Sequence, residues 1–410
     1  MAQTKITSNS LATNTIAAAN IADGAIQSRH IESSLFSPAI YSNKINSSTG
    51  YMGLPSGTTA QRPVLPPNGS IRYNTTLGYF EWYDSMSTLW IRMDQQKPSY
   101  CTIIRTQGLT ISEIVDPDDG LKYRVYTYTT PGTHRLIFDR SGYIDFLIVA
   151  GGGSGGNHST TNVNGGGGGG GVVFKKNHFV TQSASYECCV GAGGAAIGEE
   201  IASAGNNGTD SYLTGDFTNY IAIGGGGGGS QTFAAKDGGS GGGLGAGVGD
   251  RGRTIQPKFS DAQAFGNPGG RTYQSYTGSG GGGAGSEGQG GYNLNSSNNG
   301  DGGYGIQFGI SGTKKYYGGG GGGSGNSSER AGDGWHGGGR GFGTTSYYTH
   351  LNYPIEVNTT TLGSGTPDGI HGTGGGGGAG SHWSNNSTNW LSKGSGAGGD
   401  GIVIFRTRIA

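Results

Sequence analysis

The sequence predicts an all-β protein, on three observations. Short segments rich in β-branched and aromatic residues, each bounded by Gly, Pro, Asp or Asn, recur along the chain, as in YRVYTYTT (123–130), YIDFLIV (143–149) and GIVIFR (401–406). No amphipathic helical period of useful length follows residue 50. Glycine supplies 91 of the 410 residues, yet only ten of the 91 precede residue 151, and the rest gather in runs between strand-like inserts that a linker would not carry.

Residues 1–50 carry a five-residue repeat, with Ile6, Leu11, Ile16, Ile21, Ile26 and Ile31 in phase and Phe36 next. A helix turns about 140° per five residues and scatters such a row, while a flat strand puts odd steps on alternate faces. A regular inward position needs a chain that turns once per unit, and one narrow chain cannot bury the row alone. The expectation is an intertwined homotrimeric stem with one aliphatic per chain in each layer, attaching to its assembly through this end.

Residues 51–98 read as a small β-meander, with strand-like SIRY (70–73), YFEWY (79–83) and LWIR (89–92) between turn clusters at 55–57, 67–69 and 74–78. Residues 99–120 read as a connector, ending in the turn-forming DPDDG (116–120). Residues 121–410 form the glycine-rich domain, whose further strands are RLIF (135–138), GVVF (171–174) and YECCV (186–190).

Five glycine runs, 165–171, 224–229, 280–283, 318–323 and 374–378, pose the central physical question. A polyproline II-type helix has three residues per turn, rises about 3.1 Å per residue and makes no internal hydrogen bonds. Its backbone groups point outward and can bond neighbouring helices, provided that glycine lets them approach. The runs therefore predict a bundle of polyglycine II helices joined to a β-sandwich, with Tyr220–Ile223 delivering the chain into the 224–229 run. Collagen is excluded, because the runs lack a Gly-X-Y register and proline is scarce.

Two resemblances bear on this reading. LPSGTTAQRP (54–63), followed by NGSIRYNTT, FEWYD and Trp90, looks like a module of bacteriophage tail-fibre and related virion proteins. TYTTPGTHRLIF, FLIVAGGG, YECCVGAGG and the closing GDGIVIFR resemble, in the same order, the glycine-rich domain of phage tail and fibre proteins, and the spaced polyglycine blocks resemble T-even-type tip adhesins. The resemblance implies a trimeric virion fibre whose glycine-rich domain is a receptor-binding tip.

The residues give little sign of chemistry. Lys and Arg together number 26, as do Asp and Glu, and without a basic run the chain offers nucleic acid no phosphate-tracking surface. Cys101, Cys188 and Cys189 suit neither a disulfide framework nor a zinc site, and adjacent Cys188 and Cys189 would face opposite sides of a strand. The N-terminus lacks an apolar export signal and no run is long enough to cross a membrane, so neither export by that route nor membrane insertion is expected. The GxSxG matches at 152–156 and 238–242 follow from composition, His158, His336, His350, His371 and His382 are dispersed, and 116–120 reads as a hairpin turn rather than a calcium loop. The expectation is a protein without enzymatic activity, cofactor or metal.

Binding has better support. Three segments between glycine runs are dense in aromatic, His, Asn and Ser residues, namely 271–276, 341–350 and 381–390, and they nominate Tyr273, Tyr276, Tyr347, Tyr348, His350, Trp383 and Trp390 as receptor contacts. Rigid amphipathic rings among small polar groups give contact area at low entropic cost, and they suit saccharide faces. Packing of the same rings on glycine backbone is the competing role. The function expected is adhesion to a host-cell surface, with a saccharide or outer-membrane component as receptor. The alternative is a structural virion protein that binds other phage proteins, and an extracellular glycine-rich module is a third.

Overall fold

The computed structural model describes residues 54–409 except 86–87, 94–100, 105–107, 117, 159–162, 183, 217–218, 247–248, 273–277, 292–299, 326–330, 343–367 and 387–388. The five-residue repeat, Ile6 to Ile31, lies outside the described residues. The chain divides into two compact units, Met1–Lys97 and Pro98–Ala410.

In the first unit, β1 (Ser56–Gly57), β2 (Ile71–Asn74), β3 (Tyr79–Asp84) and β4 (Leu89–Arg92) form one sheet in that order. β1 runs parallel to β2 and the other pairs are antiparallel hairpins, so the meander is present with one short strand added. Its interior is partly ionic. Glu81 is fully buried and accepts hydrogen bonds from Arg62 Nη2 at 2.6 Å and from Asn74 Nδ2 at 3.1 Å, with Arg72 Nε at 3.4 Å. Burial alone would raise the Glu81 pKa, but these donors outweigh it and hold the carboxyl below its ordinary value.

The second unit is a sandwich. Its larger sheet has the order β13 (Gln263–Phe265), β9 (Val172–Val180), β8 (Gly142–Val149), β18 (Ile402–Arg408), β6 (Lys122–Tyr128) and β5 (Leu109–Val115), antiparallel throughout. The smaller sheet has the order β12 (Tyr220–Ala222), β11 (Ser211–Thr214), β10 (Tyr186–Val190) and β7 (Gly132–Leu136). No α-helix occurs among the described residues.

Side-chain alternation explains why the central strands are apolar on both faces. On β8, Ile144, Phe146 and Ile148 turn toward the smaller sheet and join Tyr186, Cys188, Leu213 and Tyr220. Leu147 and Val149 turn the other way and pack, with Val125, Val172 and Ile404, beneath the hairpin of β14 (Ile306–Phe308) and β15 (Lys315–Tyr317). A strand covered on both faces reads as a continuous hydrophobic run, which FLIV is. Cys188 is buried and Cys189 half-buried, as the alternation requires. The segment read as a connector contributes Cys101 and Ile103 to the core and β5 to the sheet edge.

The 116–120 turn closes the β5–β6 hairpin, with Gly120 at φ +71° donating to the Asp116 carbonyl at 2.8 Å. Asp116 has a second role. Its carboxylate and that of Asp145, at 2.7 Å, both accept hydrogen bonds from the buried Arg406 guanidinium, which lies 4.2 Å from the centre of the Tyr123 ring.

The glycine runs are ordered rods. The N–H groups of Gly165, Gly168 and Gly171 donate to the carbonyls of Gly229, Gly226 and Ile223, each at 2.8 Å. Those of Gly166 and Gly169 donate to Ser279 and Gly282, and those of Gly167 and Gly170 to Gly377 and Gly374. Partners change with a period of three, which is the signature of a three-residue turn. Carbonyls of the same rod accept from Gly153 and Gly156, from Ser240 and Gly243, and from Gly321. The 165–171 rod is therefore surrounded by rods at 150–156, 224–229, 240–244, 278–283, 318–324 and 374–380. All five predicted runs belong to this lattice, as its centre and four of its neighbours.

Candidate functional site

The direction of the rods decides where the intervening segments emerge. The central rod leads into β9, so its first residues lie at the end of the bundle far from the sheets. The rods at 224–229, 240–244, 318–324 and 374–380 run antiparallel to it, as the descending partner numbers show, and finish at that far end.

A buried polar seat marks the far end. Asn164 donates its N–H to Ser324 Oγ at 2.8 Å and its Nδ2 to the Gly380 carbonyl at 2.9 Å, while Ser324 N–H returns a bond to the Asn164 carbonyl at 2.9 Å. Gly278 N–H donates to the Ser324 carbonyl, and Ser279 N–H to that of Leu244. Nearby, Asn157 Nδ2 lies within hydrogen-bond distance of three carbonyls, those of Gly198, Glu199 and Ile201, at 2.9–3.2 Å. Such side chains satisfy rod ends that have run out of neighbours.

All three nominated segments are rooted here. The first begins beside Thr272, whose Oγ1 lies 2.7 Å from Ser279 Oγ. The second follows Phe342, whose N–H donates to the Ala379 carbonyl at 3.0 Å. The third follows Gly380, where the chain passes into β16 (Ser381–Asn386), paired with β17 (Asn389–Lys393). Tyr273, Tyr276, Tyr347, Tyr348 and His350 lie outside the described residues. The backbones of Trp383 and Trp390 stand in this hairpin, Trp383 opposite Leu391 and Trp390 opposite Ser384.

A model of a glycine-rich domain matches residues 129–408. The chain belongs to the glycine-rich domain family. The matched glycine-rich domain spans β7 to β18 and every rod, and it leaves out β5 and β6, although both strands complete its larger sheet. A search of curated proteins finds no match to the chain.

Within the glycine-rich domain the catalytic-looking serines are structural. Ser154 and Ser240 are fully buried in rods, and Ser154 Oγ accepts from Asn206 N–H at 2.8 Å. Neither sits on a strand-turn-helix elbow. Among the described residues, no group of three or more His, Cys, Asp or Glu side chains is placed to hold a metal ion. His371 instead pairs with Asp400 at 2.9 Å beside the last rod. The residues that sequence reasoning missed are Asn157, Asn164 and Ser324. A polar residue flanking a glycine run is the only signal they leave, and such residues abound in this composition.

Proposed function

We propose that this protein is a non-enzymatic phage fibre protein that mediates adhesion to the host-cell surface, with the far end of its glycine bundle as the receptor-binding tip. The observation that carries the reading is the common root of segments 271–276, 341–350 and 381–390 at one end of a rigid lattice. A lattice built from backbone bonds frees side chains between the rods for contact. Aromatic rings among Ser, Asn and His give adaptable recognition at low entropic cost, and saccharides or outer-membrane components fit that chemistry. The resemblance of the first unit to a fibre module and the five-residue repeat support a trimer held to the virion by residues 1–50. Three copies per fibre and several fibres per particle would raise weak single-site affinity through effective concentration.

The test is binding of the purified full-length chain to intact bacterial cells, competed by polysaccharide extracted from them. The combined substitutions Tyr347→Ala, Tyr348→Ala, His350→Ala and Trp383→Ala are expected to abolish binding with an unchanged melting temperature. Cell binding that survives them, or binding only to other virion proteins, overturns the reading in favour of a structural role.

A further inference from the structure

A second aromatic surface lies at the opposite end of the bundle, beside the sheets. In the β14–β15 hairpin Gln307 pairs with Tyr316, and both turn outward because Ile306, Phe308 and Tyr317 turn inward onto the larger sheet. The His336 ring stacks on Tyr316, with centroids 3.6 Å apart and planes 6° from parallel. Tyr304 lies 5.4 Å from His336 and 5.3 Å from Trp335, so four rings meet on one surface. Tyr304 remains 44% exposed and Tyr316 38% exposed.

The backbone is bent to present this group. His336 has φ +51° and Gly337 φ +100°, a conformation that side-chain-bearing residues rarely adopt and that concentrates at functional sites. The turn seats closely because Gly319 lacks a side chain, whose Cβ would lie 1.8 Å from the Trp335 carbonyl oxygen. Gly305 N–H donates to His336 Nδ1 at 3.2 Å, which leaves the ring proton on Nε2. Burial lowers the His336 pKa, so the ring is a neutral donor at neutral pH.

The polar edges of the surface are unused. Within the described residues the hydroxyls of Tyr304 and Tyr316, the Gln307 amide and His336 Nε2 make no hydrogen bond. The nearby cations are occupied or turned aside, since Lys314 pairs with Asp118 at 3.5 Å and Lys315 stands opposite Phe308, on the other face of the hairpin. Flat exposed rings match the C–H face of a pyranose, and uncharged donors and acceptors around them match its hydroxyls. Five side chains fall far short of the roughly 800 Å² per partner of a stable protein interface.

We propose that Tyr304, Tyr316, Gln307 and the Trp335–Gly337 turn form a saccharide-binding platform for a neutral hexopyranose unit. It stands apart from the adhesive tip and depends neither on it nor on trimerisation.

The experiment probes an array of neutral and acidic oligosaccharides with the full-length chain, then titrates the strongest neutral binder by calorimetry. The Tyr304→Ala/Tyr316→Ala variant is expected to bind at least tenfold more weakly at an unchanged melting temperature. If that variant does not fold, the Tyr304→Phe/Tyr316→Phe/Gln307→Ala variant keeps the rings and is expected to lose affinity several-fold. An array without a neutral binder, or affinity undiminished in the folded variant, overturns the platform. Cell binding lost through the tip substitutions while array binding persists leaves the platform standing, so the two proposals fail separately.

Discussion

Gly168 and Ser240 belong to neighbouring rods so close that a Cβ on Gly168 would lie 2.2 Å from the Ser240 carbonyl oxygen. Ser240 cannot withdraw, because its own N–H bonds the Gly169 carbonyl at 3.0 Å. Gly168→Ala is therefore expected to cost about 3 kcal/mol or more, at the top of the range for overpacking. Gly309→Ala, where the nearest atom would be the flexible Lys314 Cγ at 3.7 Å, is expected to stay within about 0.5 kcal/mol. Guanidinium unfolding of the two variants checks the contrast, and equal stabilities would refute the packing account.

The lattice should exchange slowly. All seven N–H groups of Gly165–Gly171 are bonded and the run is buried, Gly165–Gly170 against neighbouring backbone and Gly171 against the Gln256 side chain. Amide exchange is expected to protect these glycines to the level of β8 and β18, since rods and strands share one cooperative unit. Fast-exchanging glycines beside protected strands would count against the lattice.

Arg406 ties the last strand to two distant segments through Asp116 and Asp145. Arg406→Met leaves both carboxylates buried without the guanidinium they share, and a loss of about 3–5 kcal/mol is expected by denaturant unfolding. Adding Asp116→Asn and Asp145→Asn should recover part of that loss. Burial raises the Asp116 pKa, but the Asp118 N–H and Arg406 outweigh it and bring the carboxyl below its ordinary value. Its contribution to stability is thus present above the ordinary carboxylate range and disappears as pH falls through the depressed folded value.

His178 acts in a higher pH window. Burial first, and the Lys175 ammonium second, push its pKa from 6.5 down to about 4. Between these values the unfolded chain takes up a proton that the folded chain refuses, so stability should fall by up to about 3 kcal/mol as pH drops from 6.5 to 4. His178→Phe, in a site flanked by Phe146 and Tyr220 with centroids at 5.5 Å, should flatten the stability profile over that window. Denaturant midpoints at several pH values decide it.

The strands and the uninterrupted glycine runs were legible because each follows a local rule: β-branched density for the first, close backbone approach for the second. The rods at 150–156 and 240–244 were not, since Ser154 and Ser240 break their glycine pattern, and only the lattice shows that a serine fits where its side chain leaves between rods. β5 was hidden because Ser112 and Glu113 interrupt its apolar residues, as an exposed edge permits. At the far end the three aromatic segments were legible, but their common root was not, because it depends on the direction in which each rod runs. The Tyr304–His336 surface was missed for a related reason. Its rings come from a rod end, a hairpin and a turn, and no spacing rule links them.

Backbone bonding in the lattice also makes the intervening segments interchangeable. On either side of residues 343–367 the chain is held by main-chain bonds, from the Phe342 N–H to the Ala379 carbonyl and from the Gly369 N–H to the Ala397 carbonyl. The domain therefore behaves as a socket, in which foreign peptides could replace residues 343–367 without retuning the fold, and new binding specificities could be selected from a library at that one position.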